Sequence, residues 1–251
     1  MEFTTDGIVI KETNQGENDK LLTVLTSTHG KITVFAKGVR KITAKNAPAC
    51  QLFVYSEFDI VTKGNRNILK TAVAKQFFYN MRSSMERFSL GCYFAEVAAH
   101  VCMENNDETE ALRLILNTLY ALSEKNEIPL WQIKGAYEMA LMSVCGYMPD
   151  LEGCSCSGQI TENAVFSLED ACLICNVCKA KRGNIPFSFG ISLTVIEALR
   201  FITSNDVSKY LNFKLGEEFS KEFSFICENY LLYKTEKSFE TLKIYKSVIN
   251  S

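Results

Sequence analysis

No uninterrupted apolar stretch in the 251-residue chain approaches the roughly 18–20 residues needed to cross a bilayer. The opening residues, Met1 to Ile10, have no basic region leading into an apolar core and a small-residue cleavage site. The expectation is therefore a cytosolic chain. Histidine is nearly absent: His29 falls in an expected hairpin turn and His100 on an expected helix, and both read as surface or packing residues. There is no phosphate-cradling G-x-x-x-x-G-K-[ST] loop, no G-x-S-x-G elbow and no H-E-x-x-H helix. Hydrolytic triads and catalytic zinc sites thus lack their usual parts, and the expectation is a protein without enzymatic activity. Internal repeats and low-complexity linkers are also missing.

One long stretch lacks acid. Between Asp19 and Glu57 there is no Asp or Glu, whereas Lys20, Lys31, Lys37, Arg40, Lys41 and Lys45 all lie there. The chain as a whole carries a net charge of −2, yet Met1 to Arg82 carries +5 and the remainder −7. A local basic field recruits a polyanion even when the whole molecule is slightly acidic. These six residues are the candidate polyanion contacts, although ordinary solvated surface is the bland alternative.

Cysteine is abundant and unevenly placed. Of ten, five fall between Cys154 and Cys178. In a reducing compartment disulfides rarely persist, and clustered thiols more often bind metal. Cys50, Cys92, Cys102, Cys145 and Cys227 sit in apolar surroundings and read as small buried hydrophobes. Within the cluster, Cys175-Asn-Val-Cys178 has the two-residue spacing of a zinc knuckle, but Cys154-Ser-Cys156-Ser-Gly158 spaces its thiols by one. The expectation is one structural Zn2+ held by Cys154, Cys156, Cys175 and Cys178, with Cys172 a fifth candidate able to replace one of them. Four thiolates leave no open coordination position, so the ion would fold the segment and not activate water. A degenerate site without metal, or free thiols, is the alternative. A redox role for the lone Cys-x-x-Cys lacks its usual βαβ setting.

Periodicity organises the rest. "GIVIKET", "KLLTVLTS", "KITVFAKG", "QLFVYSEFDIVT" and "ILKTAVAKQFF" read as five strands, with "NQGEND", "THG" and "KGNRN" as turns. Five strands in about 80 residues suggest a small barrel, of which the oligonucleotide-binding (OB) fold is the best-known case. Phe35, Phe53 and Tyr55 could stack on bases, although a small barrel claims most aromatics for its core. From Ser83 the pattern is helical. Ser83 with Glu86 suggests a capping box, and Phe88, Cys92, Ala95, Ala99 and Cys102 form the expected buried stripe. Leu112, Ile115, Leu119 and Leu122 mark a second helix. Ile133, Tyr137, Ala140 and Val144 mark a third, begun by Pro129 and ended by Gly146. Helical segments after Ser192 and over "EEFSKEFSFICENYLLY" follow the cysteines. The fold class is α+β: residues 1–80 an OB-type barrel, 81–251 a helical bundle, interrupted by a zinc-finger-like segment at 151–185.

In this order the parts resemble the bacterial recombination mediator family RecO over nearly the whole chain. The carrying residues are Gly7-Ile8-Val9, Glu17, Asp19, Leu25-Thr26, Gly30 and Lys37-Gly38-x-Arg40, followed by "LEGCSCSG…FSLEDACLICNVC". The family pattern has C-x-x-C-G, a Phe and a Gly pair, then C-x-x-C. Here Ser157 stands where the second cysteine is expected, Cys156 comes one residue early, and the Gly pair is missing. The resemblance implies a non-catalytic DNA-repair protein, cytoplasmic and nucleoid-associated. It implies binding to single- and double-stranded DNA, annealing of single strands, cooperation with RecR, and help in loading recombinase on strands coated by single-stranded DNA-binding protein. It further implies capture of that protein's acidic tail on the helical domain, for which Arg113, Lys134 and Arg200 are candidate rim residues. A zinc-ribbon adaptor that contacts only proteins is the competing reading.

Overall fold

The computed structural model describes residues 1–158, 160 and 163–250; Gln159, Thr161 and Glu162 of the expected zinc segment, and Ser251, lie outside the described residues. The strands are β1 (Glu2–Gln15), β2 (Asp19–Thr26), β3 (Lys31–Ala36), β4 (Val54–Lys63), β5 (Arg66–Phe77), β6 (Asp150–Cys154), β7 (Asn163–Ser167), β8 (Cys172–Cys175) and β9 (Ser188–Ser192). The helices among the described residues are α1 (Met85–Val101), α2 (Thr109–Glu124), α3 (Leu130–Val144), α4 (Asn176–Arg182), α5 (Leu193–Ser204), α6 (Ser220–Thr235) and α7 (Glu240–Ile249). None of the helices is long and apolar enough to cross a membrane. Packing groups the chain into two compact units, Met1–Asn126 with Phe239–Ser251, and Glu127–Ser238.

In the first unit, β1 serves two neighbours. Its first half pairs with β4, from Glu2↔Val61 to Ile8↔Tyr55, and its second half pairs with β2, from Gly7↔Thr26 to Gln15↔Asp19. A break in register between Val9 and Lys11, within the β2 pairing, bends the strand just past the end of the β4 pairing. A short parallel contact between β3 and β5, at Val34↔Asn67 and Phe35↔Ile68, closes the barrel in the order β1-β2-β3-β5-β4. Closure leaves no open edge for a stray strand to extend. The period-two pattern seen in the sequence fills the interior with Val9, Leu22, Val24, Ile32, Val34, Phe58, Ile60 and Leu69. Each such fully buried aliphatic or aromatic side chain contributes about 1.5–3 kcal/mol relative to exposure.

The first helix of this unit departs from its sequence-derived face, and the second keeps it. α1 packs against α2, α7 and β1. It is therefore buried nearly all round, including Leu90, Tyr93, Phe94 and Val97, while the expected stripe residues Phe88, Cys92 and Ala99 are only half-buried. Its cap is Ser84, whose Oγ accepts from the Arg87 N–H at 3.3 Å. Ser83 instead ends a short 3-10 turn and donates to the Asn80 carbonyl, so the N-cap stands one residue later than the expected Ser83–Glu86 box and carries Arg87 at the position where a box needs Glu or Gln. On α2, Leu112, Ile115, Leu119 and Leu122 are all buried, as their spacing predicts.

In the second unit, α3 runs as a central helix with Gln132 through Met142 buried without interruption. It packs against α5 and α6. Pro129 caps it and Gly146 follows its last turn. The cysteine segment forms a four-stranded sheet, order β6-β8-β7-β9, with α4 following β8. Ser192 then caps α5, accepting from the Val195 N–H. Of the scattered cysteines, Cys50, Cys102 and Cys227 are buried and Cys92 and Cys145 half-buried.

Candidate metal centre and nucleic-acid interface

β6 ends on Cys154, β8 ends on Cys175, and Cys178 lies in the first turn of α4. β6 and β8 run parallel, with Cys154 opposite Leu173. This pairing brings the ends of the two strands together. The Sγ atoms of Cys154, Cys175 and Cys178 all lie within 4.8 Å of one another, and all three residues are buried. The Cys175 N–H donates to the Cys154 sulfur at 3.2 Å. Thiolates tetrahedrally bound to zinc at 2.3 Å are about 3.8 Å apart, so small inward movements would seat an ion. The donor set fits a soft divalent metal.

The three thiols divide their protons unequally. Burial pushes the Cys154 thiol up, but hydrogen bonds from the Cys175 N–H, the Ser157 hydroxyl and the Cys156 and Ser157 amides outweigh it and bring it down to about 5. Cys175 is lowered by the Cys178 backbone and the Ser157 hydroxyl. Cys178 is pushed up to about 12, first by its hydrogen bond to Cys175 and then by burial. Cys154 thus gives up its proton most readily and Cys178 least, and a metal ion would displace the protons that remain. Cys156 is exposed and lies outside the mutually close group, although its thiol hydrogen-bonds Cys178. Cys172 is buried in the same apolar cluster, with its thiol raised by burial, and also lies outside the group.

The basic stretch separates into two kinds of residue. Lys20 is half-buried and pairs with Glu12 at 2.8 Å. Lys31 Nζ donates to the Ala99 carbonyl at 2.6 Å. Both cations serve the fold. Lys37, Arg40, Lys41 and Lys45 are exposed on the loop joining β3 to β4, and among the described residues none of them pairs with a carboxylate. Successive turns stiffen this loop: the Lys41 N–H bonds the Gly38 carbonyl, Ala44 bonds Lys41, and Ala47 bonds Ala44. Its base is stitched to the β1–β2 turn. The Gly38 N–H donates to Asp19 Oδ1 at 2.7 Å, the Arg40 N–H to the Asn18 carbonyl at 2.9 Å, and Arg40 Nη1 to the Gly16 carbonyl at 2.8 Å. The residues of the Lys37-Gly38-x-Arg40 pattern therefore form one braced corner.

Three further basic residues were not singled out by the acid-free stretch. Lys63 and Arg66 flank the exposed β4–β5 turn. Lys75, by contrast, is held by Asp6 and Glu57, which raise its pKa. Of the candidate stacking aromatics, Phe53 is core, 1% exposed and edge-on to Phe88 at 5.9 Å. Phe35 and Tyr55 are half-buried. Ile42, at the crest of the basic loop, is fully exposed.

The candidate tail residues also differ. Lys134 is buried, bonded to Glu138 at 2.7 Å and Glu228 at 2.9 Å, and does not reach a rim. Arg113 pairs with Glu110. Arg200 pairs with Glu197 and donates to the carbonyls of Leu151 and Glu152. Arg200 lines a groove of about 650 Å³ that also presents Phe201, Phe213, Lys214 and Leu215.

The barrel and the remainder of the chain each have a counterpart among known families. Residues 1–78 match the family model described as "Recombination protein O N terminal", and residues 82–243 match "Recombination protein O C terminal". The protein named DNA repair protein RecO of Acetivibrio thermocellus is 29% identical over 246 residues, covering 97% of this chain and 96% of its own. That of Alkaliphilus metalliredigens is 28% identical over 250 residues, covering 99% and 100%. That of Dehalococcoides mccartyi is 29% identical over 238 residues, covering 94% and 92%. With a closed five-stranded barrel, the helices that follow it and a cysteine cluster fit for metal, matched by both family models in the same order, the chain belongs to the recombination protein O (RecO) family.

Proposed function

We propose that the protein is a non-catalytic mediator of recombinational DNA repair that binds DNA through the β3–β4 corner of its barrel. The observation that carries this reading is the rigid, acid-free loop presenting Lys37, Arg40, Lys41 and Lys45 together beside the β1–β2 turn. OB barrels engage oligonucleotides through the face of strands 2 and 3 and the loops joining strands 1 to 2 and 4 to 5, and the basic loop is bonded to the first of those loops. Lysine and arginine there neutralise phosphates and release counterions without reading sequence. Phe35, half-buried on the outward face of β3, is available for a base to stack on.

In this reading the mediator anneals complementary strands, cooperates with RecR and helps load recombinase on coated strands. The acidic tail of single-stranded DNA-binding protein docks in the groove lined by Phe201, Phe213 and Leu215, with the exposed Lys214 meeting its carboxylates. The metal held by the cysteine segment is structural and keeps β6, β8 and α4 together. Titration of fluorescent single- and double-stranded oligonucleotides of several sequences with the full chain is the test. Binding with little sequence preference that weakens with salt is expected. Absence of any shift at low salt overturns the reading and favours the adaptor that contacts only proteins.

A further inference from the structure

The first cysteine knuckle folds so that Ser157 faces the three buried thiols, whereas Cys156 hydrogen-bonds Cys178 from outside their mutually close group. The Gly158 N–H bonds the Cys154 carbonyl at 2.8 Å, closing a single turn of chain over residues 154–158. In such an i to i+4 turn the residue at i+3 returns to the side of residue i, and the residue at i+2 points away. Ser157 is at i+3 from Cys154 and Cys156 at i+2. Ser157 Oγ lies 3.6 Å from Cys175 Sγ, and the same hydroxyl lowers the thiols of Cys154, Cys175 and Cys178 alike. Cys156 is exposed, its sulfur 3.7 Å from the Ser155 hydroxyl. Close packing leaves the turn little freedom to slip by one residue: a side chain added at Gly153 would meet the Gly158 carbonyl at 2.8 Å.

We infer that the centre is a three-thiolate, one-oxygen site, in which Cys154, Cys175 and Cys178 bind a zinc-class divalent ion. Ser157 supplies or holds the oxygen at the fourth vertex, and Cys156 stays outside the coordination sphere. This deepens the structural-metal reading above and rests on it. Three thiolates leave a divalent centre with one negative charge where four would leave two. The oxygen vertex is the weakest bond and the point at which a chelator enters.

The test uses the full chain purified in zinc, with metal content by elemental analysis and ligand count by X-ray absorption at the zinc edge. The natural chain should hold one zinc with three sulfurs and one lighter donor. Cys156→Ala should keep both the zinc and the three sulfurs. Ser157→Cys should gain one sulfur per zinc and resist extraction by chelator longer than the natural chain does, while Cys175→Ala should lose the ion. Four sulfurs in the natural chain, falling to three in Cys156→Ala, overturn the inference and leave a structural metal standing. No zinc in the natural chain overturns both and leaves the DNA reading untouched.

Discussion

Replacing Lys37, Lys41 and Lys45 together by Gln removes three exposed charges from the barrel corner while Arg40 keeps its bond to the Gly16 carbonyl. On single-stranded DNA each phosphate contact contributes about 0.7 to the slope of log K against log salt, so the variant's slope should be shallower by about 2. Raising salt from about 50 to about 200 mM should therefore shrink the affinity advantage of the natural chain by about 20-fold. Lys20→Gln and Lys31→Gln are the controls. Their side chains are spent on Glu12 and on the Ala99 carbonyl, so their slopes should match the natural chain's. The assay is fluorescence anisotropy of a labelled oligonucleotide at four salt concentrations, with thermal unfolding checked for each variant. A folded triple variant with an unchanged slope refutes the assignment of phosphate contacts to this loop. A shallower slope in the Lys20 or Lys31 variants would show that the division into structural and exposed cations is wrong.

Three other outcomes follow from the packing. Gly30 has φ +64° and a Cβ there would meet the Met103 carbonyl at 2.2 Å, so Gly30→Ala should cost at least about 2 kcal/mol in urea unfolding; a smaller change would mean the turn simply moves aside. Gly135→Ala would put a Cβ 2.4 Å from the buried Phe223 ring, itself edge-on to Trp131 and Phe213. Overpacking of about 1–3 kcal/mol should exceed the roughly 1 kcal/mol gained in helix propensity, and Phe223→Leu in the same chain should relieve it; strictly additive effects in the double-mutant cycle would refute the contact. Hydrogen bonds from Thr4 and Thr71 hold the Asp59 carboxyl below its usual 3.8. The stability it contributes is therefore present above the unfolded-state value and lost as pH falls through the lower folded one, so Asp59→Asn should flatten the acid limb of Tm against pH. An unaltered acid limb would remove Asp59 from that account.

The strands of the barrel, the second, third, fifth and sixth helices and the grouping of cysteines were legible along the chain, because each rests on local period, caps or spacing. Alternation at period two placed Ile32, Val34 and Ala36 inside, and Leu112, Ile115, Leu119 and Leu122 lie where period 3.6 puts them. The face of α1 was not legible. A helix packed by α2, α7 and β1 is buried on several sides, and a single-stripe reading of Phe88, Cys92 and Ala99 selects only one of them. The helix α7 and the sheet β6-β8-β7-β9 also escaped the sequence pattern, the sheet because its strands are four or five residues long and too short for a period to declare itself.

By itself the sequence determined the composition of each feature: an acid-free basic stretch, two short cysteine groups, an amphipathic series. Tertiary structure decided which members are paired within the fold and which are left exposed. Lys20, Lys31, Lys37, Arg40, Lys41 and Lys45 look alike in a row of letters, but strand pairing turns Lys20 to Glu12 and packing turns Lys31 to α1, leaving four to solvent. Lys134 reads as a surface cation until α6 buries it against Glu228. The thiols are brought together by β6 and β8, strands separated by 17 intervening residues between Cys154 and Cys172 and adjacent only through the sheet. Spacing counts residues, whereas a metal or a phosphate responds to direction in space, which only the closed turn at 154–158 and the paired strands supply.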